Sequence, residues 1–345
     1  MIDRFLRACR GEPTDCTPVW FMRQAGRSQP EYRALRERYS LLDLIRTPEL
    51  CAHVTLRPVA ELGVDAAILF SDITLPLMGM GADVQIVDGR GPVVARPVRT
   101  AGDVERLRPF EPDRDIPFLL EAIRLIRSQS RVPLIGFAGA PFTLASYLIE
   151  GEGSRELYLT KRMLLAEPLL WSRLMDRLTD ATLAYLSAQV GSGVQAVQVF
   201  DSWIGAVAPR DYEAAVLPHM RRLFAGLRPL GVPVIHFGTG SAGLLSLMAG
   251  AGGDVIGVDW RIRLREAWAR IGGAAIQGNL DPTTLLAPFE VAAAAARDIL
   301  DDAGGRRGHI FNLGHGVLPQ TPRDSLRRLV DLVHTYAPVP AAGGR

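Results

Sequence analysis

The sequence predicts an α/β protein folded as a single closed (β/α)8 barrel with one β-hairpin inserted after the second strand. Three observations carry this. Eight short apolar runs alternate with helical patterns, each run breaks into a polar or glycine-bearing stretch, and 345 residues accommodate the roughly 250 of such a barrel plus an excursion. An open doubly wound sheet is the rival architecture. It usually carries a glycine-rich dinucleotide loop after its first strand, and no such loop follows the first run here.

The first run, Pro18-Val19-Trp20-Phe21, opens into Met22-Arg23-Gln24-Ala25-Gly26-Arg27. Residues 31–46 carry Tyr32, Leu35, Tyr39, Leu42 and Ile45 at three-to-four spacing behind Pro30, which predicts one helix. Another starts at Thr47-Pro48-Glu49 and ends near Leu62, where Gly63 closes it. Ala66-Ala67-Ile68-Leu69-Phe70 reads as a strand buried on both faces and stops at Ser71-Asp72. Val84, Ile86, Val93 and Val94 flank Asp88-Gly89-Arg90-Gly91, the pattern of the inserted hairpin. A helix near 116–129 leads to Pro133-Leu134-Ile135-Gly136-Phe137, which breaks into the glycine loop Ala138-Gly139-Ala140-Pro141, with helices expected over 155–166 and 168–190. The fourth run, 194–200, ends at Asp201-Ser202. Runs five to seven are 232–237 before Gly238, 255–258 before Asp259, and 274–276 before Gln277-Gly278-Asn279. After an alanine-rich helix around 290–300, His309-Ile310-Phe311-Asn312-Leu313 ends at Gly314-His315-Gly316, and a last helix covers 322–334. Residues 1–337 are thus read as the barrel and 338–345, rich in Pro, Ala and Gly, as a flexible tail.

Composition narrows the class of function. With 48% hydrophobic and 22% charged residues the chain can bury a large core, and its net charge of +2, both signs mixed throughout, offers no broad basic face for nucleic acid. The expected partner is a small molecule. Cys9, Cys16 and Cys51 form neither a CxxC pair nor an even disulfide framework, which fits a reducing cytoplasm. No charged-then-apolar leader opens the sequence and no uncharged apolar stretch reaches about 18 residues, so a soluble cytoplasmic protein is expected.

In a (β/α)8 barrel the working groups gather at the C-terminal strand ends, because the βα loops converge there. That rule selects Arg23 and Arg27 after run one, Asp72 after two, the glycine loop and Tyr147 after three, Ser202 after four and His315 after eight, with His236, Asp259 and Asn279 as weaker members. Two guanidinium groups four residues apart can grip carboxylates bidentately. Structural alternatives stay open at this level: surface charge for the arginines in a chain where 38 of 39 basic residues are Arg, caps for Asp72 and Asp201, a satisfied core histidine for His236, a packed ring for Tyr147. What is missing also informs. No HExxH, HxH or clustered Cys/His spacing marks a metal site, and no GxSxG marks a nucleophile elbow. The single lysine, Lys161, falls in a helix well past the third strand, which disfavours imine and pyridoxal chemistry; no cofactor is expected.

Six ordered stretches then carry a resemblance. Residues 18–27 (PVWFMRQAGR), 70–73 (FSDI), 136–147 (GFAGAPFTLASY), 200–203 (FDSW), 277–281 (QGNLD) and 311–316 (FNLGHG) together resemble the uroporphyrinogen decarboxylases of tetrapyrrole biosynthesis over nearly the whole chain. The resemblance implies a distorted (β/α)8 barrel forming a homodimer. It further implies removal of carbon dioxide from the four acetate arms of uroporphyrinogen III, giving coproporphyrinogen III without metal or organic cofactor. By the same resemblance Arg23, Gln24, Ala25, Gly26 and Arg27 bind the substrate, Asp72 holds the pyrrole N–H groups, and Tyr147, Ser202 and His315 contact it. Ser28-Gln29 and Thr239 depart from the family's pattern at positions expected on the rim. The proton donor is left between His315 and a water. Two other functions compete. A corrinoid-linked methyltransferase of related fold needs a late thiolate zinc site, yet no cysteine follows Cys51; a non-catalytic tetrapyrrole binder keeps the arginines and can lose Asp72, which is present.

Overall fold

The computed structural model describes residues 3–87 and 89–337; the expected tail at 338–345 and the hairpin residue Asp88 lie outside the described residues. Seven parallel strands form one curled sheet in the order β1 (Ala67–Ile68), β4 (Leu134–Gly139), β5 (Ala196–Asp201), β6 (Val234–Gly238), β7 (Val255–Gly257), β8 (Ala275–Gln277) and β9 (His309–Ile310). Between β1 and β4 the chain makes a separate antiparallel pair, β2 (Val84–Val87) and β3 (Gly91–Val94). The strands of the main sheet are buried along almost their whole length, as expected where helices cover the outside and side chains fill the inside.

The eighth position is not a regular strand. Residues 18–21 close the sheet with individual backbone bonds: Phe311 N–H donates to Pro18 O at 2.8 Å and Trp20 N–H to Phe311 O at 3.4 Å on one edge, and Asp65 N–H donates to Val19 O at 2.8 Å on the other. Inside the barrel, Trp20 Nε1 donates to Gln277 Oε1 and Gln277 Nε2 to Gln198 Oε1, each at 3.0 Å. Because these three buried side chains come from segments that are not neighbours in the sheet, the bonds cross the interior and fix which residues face inward.

Several helices begin on proline, whose fixed φ and missing N–H suit the first turn: Pro30, Pro48, Pro117, Pro141, Pro168 and Pro209. Two expectations change. The helix read over 31–46 is two, Pro30–Arg36 and Leu41–Arg46, because Ser40 and Asp43 form a reciprocal capping box that starts a new helix. The third strand runs to Gly139 and passes at once into the helix Pro141–Glu150, so the expected glycine loop is a helix start and Tyr147 stands on a helix. Gly136 is required there: a Cβ would collide with the Gln189 side chain, which pairs with both the N–H and C=O of Phe137 at 3.0 Å. Gln189 thereby satisfies backbone groups of β4 beyond the short β1.

The closing seam depends on Asp65, which is 2% exposed. Its Oδ2 accepts from Val19 N–H and faces His334 Nε2, both at 2.7 Å, while Oδ1 accepts from Arg4 at 3.1 Å. One carboxylate thus ties the first helix, the closing segment and the last helix together. Removing it leaves the buried Val19 N–H and the His334 ring without this partner, while Arg4 keeps its ion pair with Asp15, so Asp65→Ala is expected to lose about 3 kcal/mol of unfolding free energy in urea titration, the scale for breaking a buried charged contact. A loss below about 0.5 kcal/mol would place the seam's stability elsewhere.

Candidate active site

Arg23 leaves the closing segment with φ at +60°, in the left-handed region that non-glycine residues rarely occupy. Three contacts hold it there. Met22 N–H donates to Asn312 Oδ1 at 3.2 Å, Val317 N–H donates to Met22 O at 2.8 Å, and the Arg23 stem lies directly over Gly316, where a Cβ would come within 2.6 Å of its Cγ. Gly316 is therefore the space that Arg23 occupies. The guanidinium stays reachable by water in an open mouth, yet protein surrounds it closely enough that desolvation lowers its pKa, with Arg27 as the next cause. An arginine remains charged under such a shift. The two guanidinium groups therefore stand within electrostatic reach of one another, as the spacing led us to expect.

The other members of this loop divide. Ala25 and Gly26 are half-buried beside the two arginines, whereas Gln24 has no exposed surface. Its Oε1 accepts from Phe21 N–H and its Nε2 donates to Ala66 O, both at 3.0 Å. Both ends of the amide are thus engaged in holding the loop to the strand behind it, which corrects the reading of Gln24 as a side chain that grips substrate. Ser28 and Gln29, expected on the rim, are buried at the entry to the next helix.

Asp72 lies half-buried after β1, with Oδ1 accepting from Thr74 N–H at 2.8 Å and from Thr74 Oγ1 at 2.5 Å. Its Oδ2 has no partner among the described residues and is free for a ligand. The charge of Asp72 opposes desolvation at Arg23 and adds to the rise at Tyr147 and Tyr185, so it sits among all three. The Tyr147 phenol is pushed up chiefly by burial and is neutral near pH 7. Its ring meets Trp203 edge-on at 6.0 Å, which brings the half-buried Ser202-Trp203 turn after β5 to the same mouth.

His315 completes the set from the loop after β9. Its Nδ1 accepts a 2.7 Å hydrogen bond from Gly316 N–H, so the ring proton belongs on Nε2. Burial, then Arg23 and Arg261, push its pKa down to about 4 against a smaller pull from Asp259. At neutral pH His315 is an uncharged imidazole that can donate a hydrogen bond from Nε2. It is not an imidazolium, which weighs against His315 in the choice of proton donor left open between it and a water.

The three weaker candidates are scaffold. Asp259 is buried, accepts from Gly240 N–H at 2.6 Å and pairs with Arg261; Asn279 donates to Asp259 O and Ile262 O at 2.8 and 2.7 Å; His236 packs against Phe224 on the outer face of β6. Two contributors escaped the sequence reading. Trp203 lies inside the quoted FDSW stretch, and Arg261 follows directly on Asp259-Trp260. Arg261 stacks 4.3 Å over Trp260, whose backbone lies hard against Gly314, so a third guanidinium stands beside the His315 loop. Among the described residues no three of His, Cys, Asp and Glu converge on a metal position, and no helix is long and apolar enough to cross a membrane.

This mouth combines clustered arginines, one carboxylate with a free oxygen, a phenol, a hydroxyl and a neutral imidazole. The family model described as uroporphyrinogen decarboxylase (URO-D) matches residues 1–336. The chain belongs to the uroporphyrinogen decarboxylase family. It is 56% identical over 335 residues to a uroporphyrinogen decarboxylase of Thermus thermophilus, covering 97% of this chain and 98% of that one. The Sorangium cellulosum enzyme of the same name is 55% identical over 338 residues, with 97% of each chain covered. A methyltransferase from Methanosarcina mazei shares the fold at a TM-score of 0.75 and 23% identity, over 96% of this chain and 97% of that one. The (β/α)8 reading and the family resemblance both stand on these findings.

Two histidines give a pH test of the charge states described for this family member. His315 and the fully enclosed His309, whose Nε2 faces Gly278 O at 3.2 Å, are both pushed down from 6.5 to about 4, burial being the first cause in each. The unfolded chain therefore binds more protons than the folded one between those values. Stability is complete above about pH 6.5 and falls as the pH drops toward 4, by about 1–2 kcal/mol per histidine at pH 5. Urea titrations at pH 7.5 and pH 5 are expected to show this decline, to which the lowered His219 adds in the same direction, and His315→Gln to make it clearly shallower. An unchanged pH dependence in that variant would contradict the neutral, desolvated imidazole.

Proposed function

We propose that the protein is a carboxy-lyase that converts uroporphyrinogen III to coproporphyrinogen III in haem biosynthesis. It removes the four acetate carboxylates without a metal or organic cofactor. Each step balances as R–CH2–CO2⁻ plus one proton giving R–CH3 plus CO2. A proton added to the pyrrole carbon bearing the acetate creates a cation, the C–CO2 bond breaks with its electron pair flowing into that cation, and the methylene formed takes up a proton as the ring loses the first. The substrate supplies its own electron sink, so the protein has to bind, orient and stabilise charge.

The single observation that carries the reading is Asp72, with one free carboxylate oxygen, set near Arg23, which in turn lies near Arg27. Arg23 and Arg27 hold substrate carboxylates as bidentate forks. Asp72 accepts from the pyrrole N–H groups and offsets the positive charge that develops on the ring, an interaction stronger in the transition state than in the bound substrate. Tyr147, Ser202 and the Nε2–H of His315 contact the remaining polar groups of the macrocycle, with backbone contacts from Ala25 and Gly26. Because His315 is neutral in the free protein, the proton comes from solvent, relayed through a water at the mouth. The active species is a cytoplasmic homodimer, a reading with which the three free cysteines agree.

Asp72→Asn keeps the shape of the carboxylate and removes its charge. It is expected to lower kcat with uroporphyrinogen about 10²- to 10³-fold, with a much smaller change in KM, the scale for one preorganised electrostatic group. Anaerobic rate measurements on the two proteins decide it. A kcat within a few-fold of the unmodified protein would remove Asp72 from the mechanism.

A further inference from the structure

One layer behind the mouth lies a buried polar cluster that the reaction leaves unused. Asp201 ends β5 with no exposed surface; its Oδ1 accepts from Thr143 Oγ1 at 2.9 Å, while its Oδ2 has no hydrogen-bond partner among the described residues. Both ring nitrogens of His236 and the Tyr212 hydroxyl are in the same condition, and these two residues are also wholly buried. The unpaired atoms are neighbours. His236 Nε2 stands 3.8 Å from Asp201 Oδ2, beyond hydrogen-bond reach, and Tyr212 is close enough for the Asp201 charge to add to the burial that raises its phenol. His236 packs its ring 5.1 Å from Phe224, so the cluster sits between β5, β6 and the covering helices Pro209–Ala215 and Leu217–Leu227. Folded proteins do not leave such groups unpaired; where side chains cannot reach one another, an ordered water with about three polar partners joins them.

Asp201 also reaches the site. Thr143 Oγ1, bonded to Asp201 Oδ1, accepts from Trp203 N–H at 3.4 Å, and Thr143 stands one helical turn before Tyr147 on the same helix face. Tyr147 in turn meets Trp203 edge-on. One carboxylate therefore joins the helix that carries Tyr147 to the turn that carries Ser202 and Trp203.

We propose that a single buried water bridges Asp201 Oδ2, His236 Nε2 and Tyr212 Oη, and that the carboxylate so fixed is a positioning residue which, through Thr143, sets Tyr147 against the Ser202-Trp203 turn. The function assigned to this unit rests on the decarboxylase reading above. The bridge itself does not.

The test has two arms. In the first, Thr143→Val, Thr143→Ser, Tyr147→Phe and the Thr143→Val/Tyr147→Phe double variant are assayed anaerobically with uroporphyrinogen. Thr143→Val is expected to lower kcat about tenfold or more with KM little changed, Thr143→Ser to restore it to within about twofold, and the Val substitution to cost less than about twofold once Tyr147→Phe is present. Additive effects in the double variant, or a Thr143→Val protein that is merely less stable at full kcat, would overturn the positioning role. The second arm is a high-resolution crystal structure of the unliganded protein, in which a water within hydrogen-bond distance of all three groups is expected. A dry site, or direct pairing of Asp201 with His236, would overturn the bridge. If the unmodified protein does not turn over uroporphyrinogen, the decarboxylase reading fails with it, while the crystallographic arm still judges the water.

Discussion

The geometry of the mouth depends on one constraint, the passage of the Arg23 side chain over Gly316. A left-handed backbone at a non-glycine residue costs of order 1–3 kcal/mol and persists only where its surroundings over-determine it. Here they do, because Met22 is bonded on one side to Asn312 and on the other to Val317, while Gln24 fastens the next turn to Ala66. All these bonds cross the seam between the first and last segments of the barrel or tie the loop to the strand beside it. Closing the barrel and aiming the first guanidinium are thus the same event. The seam needs Asp65 beneath it, and any side chain at 316 would compete with Arg23 for its place.

From that placement the electrostatics follow. Arg23 stands near enough to Arg27, Asp72, Tyr147 and His315 to influence or be influenced by each, so its position sets the character of the whole site. Burial makes protonation of the His315 imidazole unfavourable, and the two guanidinium groups beside it, Arg23 and Arg261, add to the effect. The resulting mouth is cationic through arginines that cannot release protons, neutral at its histidine and phenol, and anionic at a single carboxylate. Such a distribution suits a ligand carrying many carboxylates around a ring that becomes positive during reaction. Catalysis by fixed charge needs little motion from the protein, which agrees with a site mounted on short loops and on a helix that starts two residues after its strand ends.

Much of this was legible in the sequence, for identifiable reasons. Barrel strands buried on both faces leave apolar runs, and the polar residues that end them mark the mouth, so Arg23, Arg27, Asp72, Ser202 and His315 could be picked by position alone. Tyr147 was picked although its surroundings were misjudged, since Gly139-Ala140-Pro141 reads as a loop when the proline is in fact the first residue of a helix. Less legible were properties that arise between distant segments. Nothing near Gln24 in sequence announces that its amide Nε2 would donate to Ala66 O, far along the chain. The neutrality of His315 comes from burial and then from Arg23 and Arg261, all set by distant segments, and His236, Asp201 and Tyr212 meet only because β5 and β6 lie under one pair of helices.

Whether this mouth removes carboxylates from a ring which provides its own electron sink is decided by counting carbon dioxide. Purified protein, dialysed against a chelator, is given chemically reduced uroporphyrinogen III under anaerobic conditions, and the released CO2 is measured against the substrate consumed. About four CO2 per uroporphyrinogen are expected, with the tetracarboxylate coproporphyrinogen III as final product, unaffected by the chelator. Absence of CO2 release from folded protein, or release that requires an added metal or organic cofactor, would contradict that chemistry.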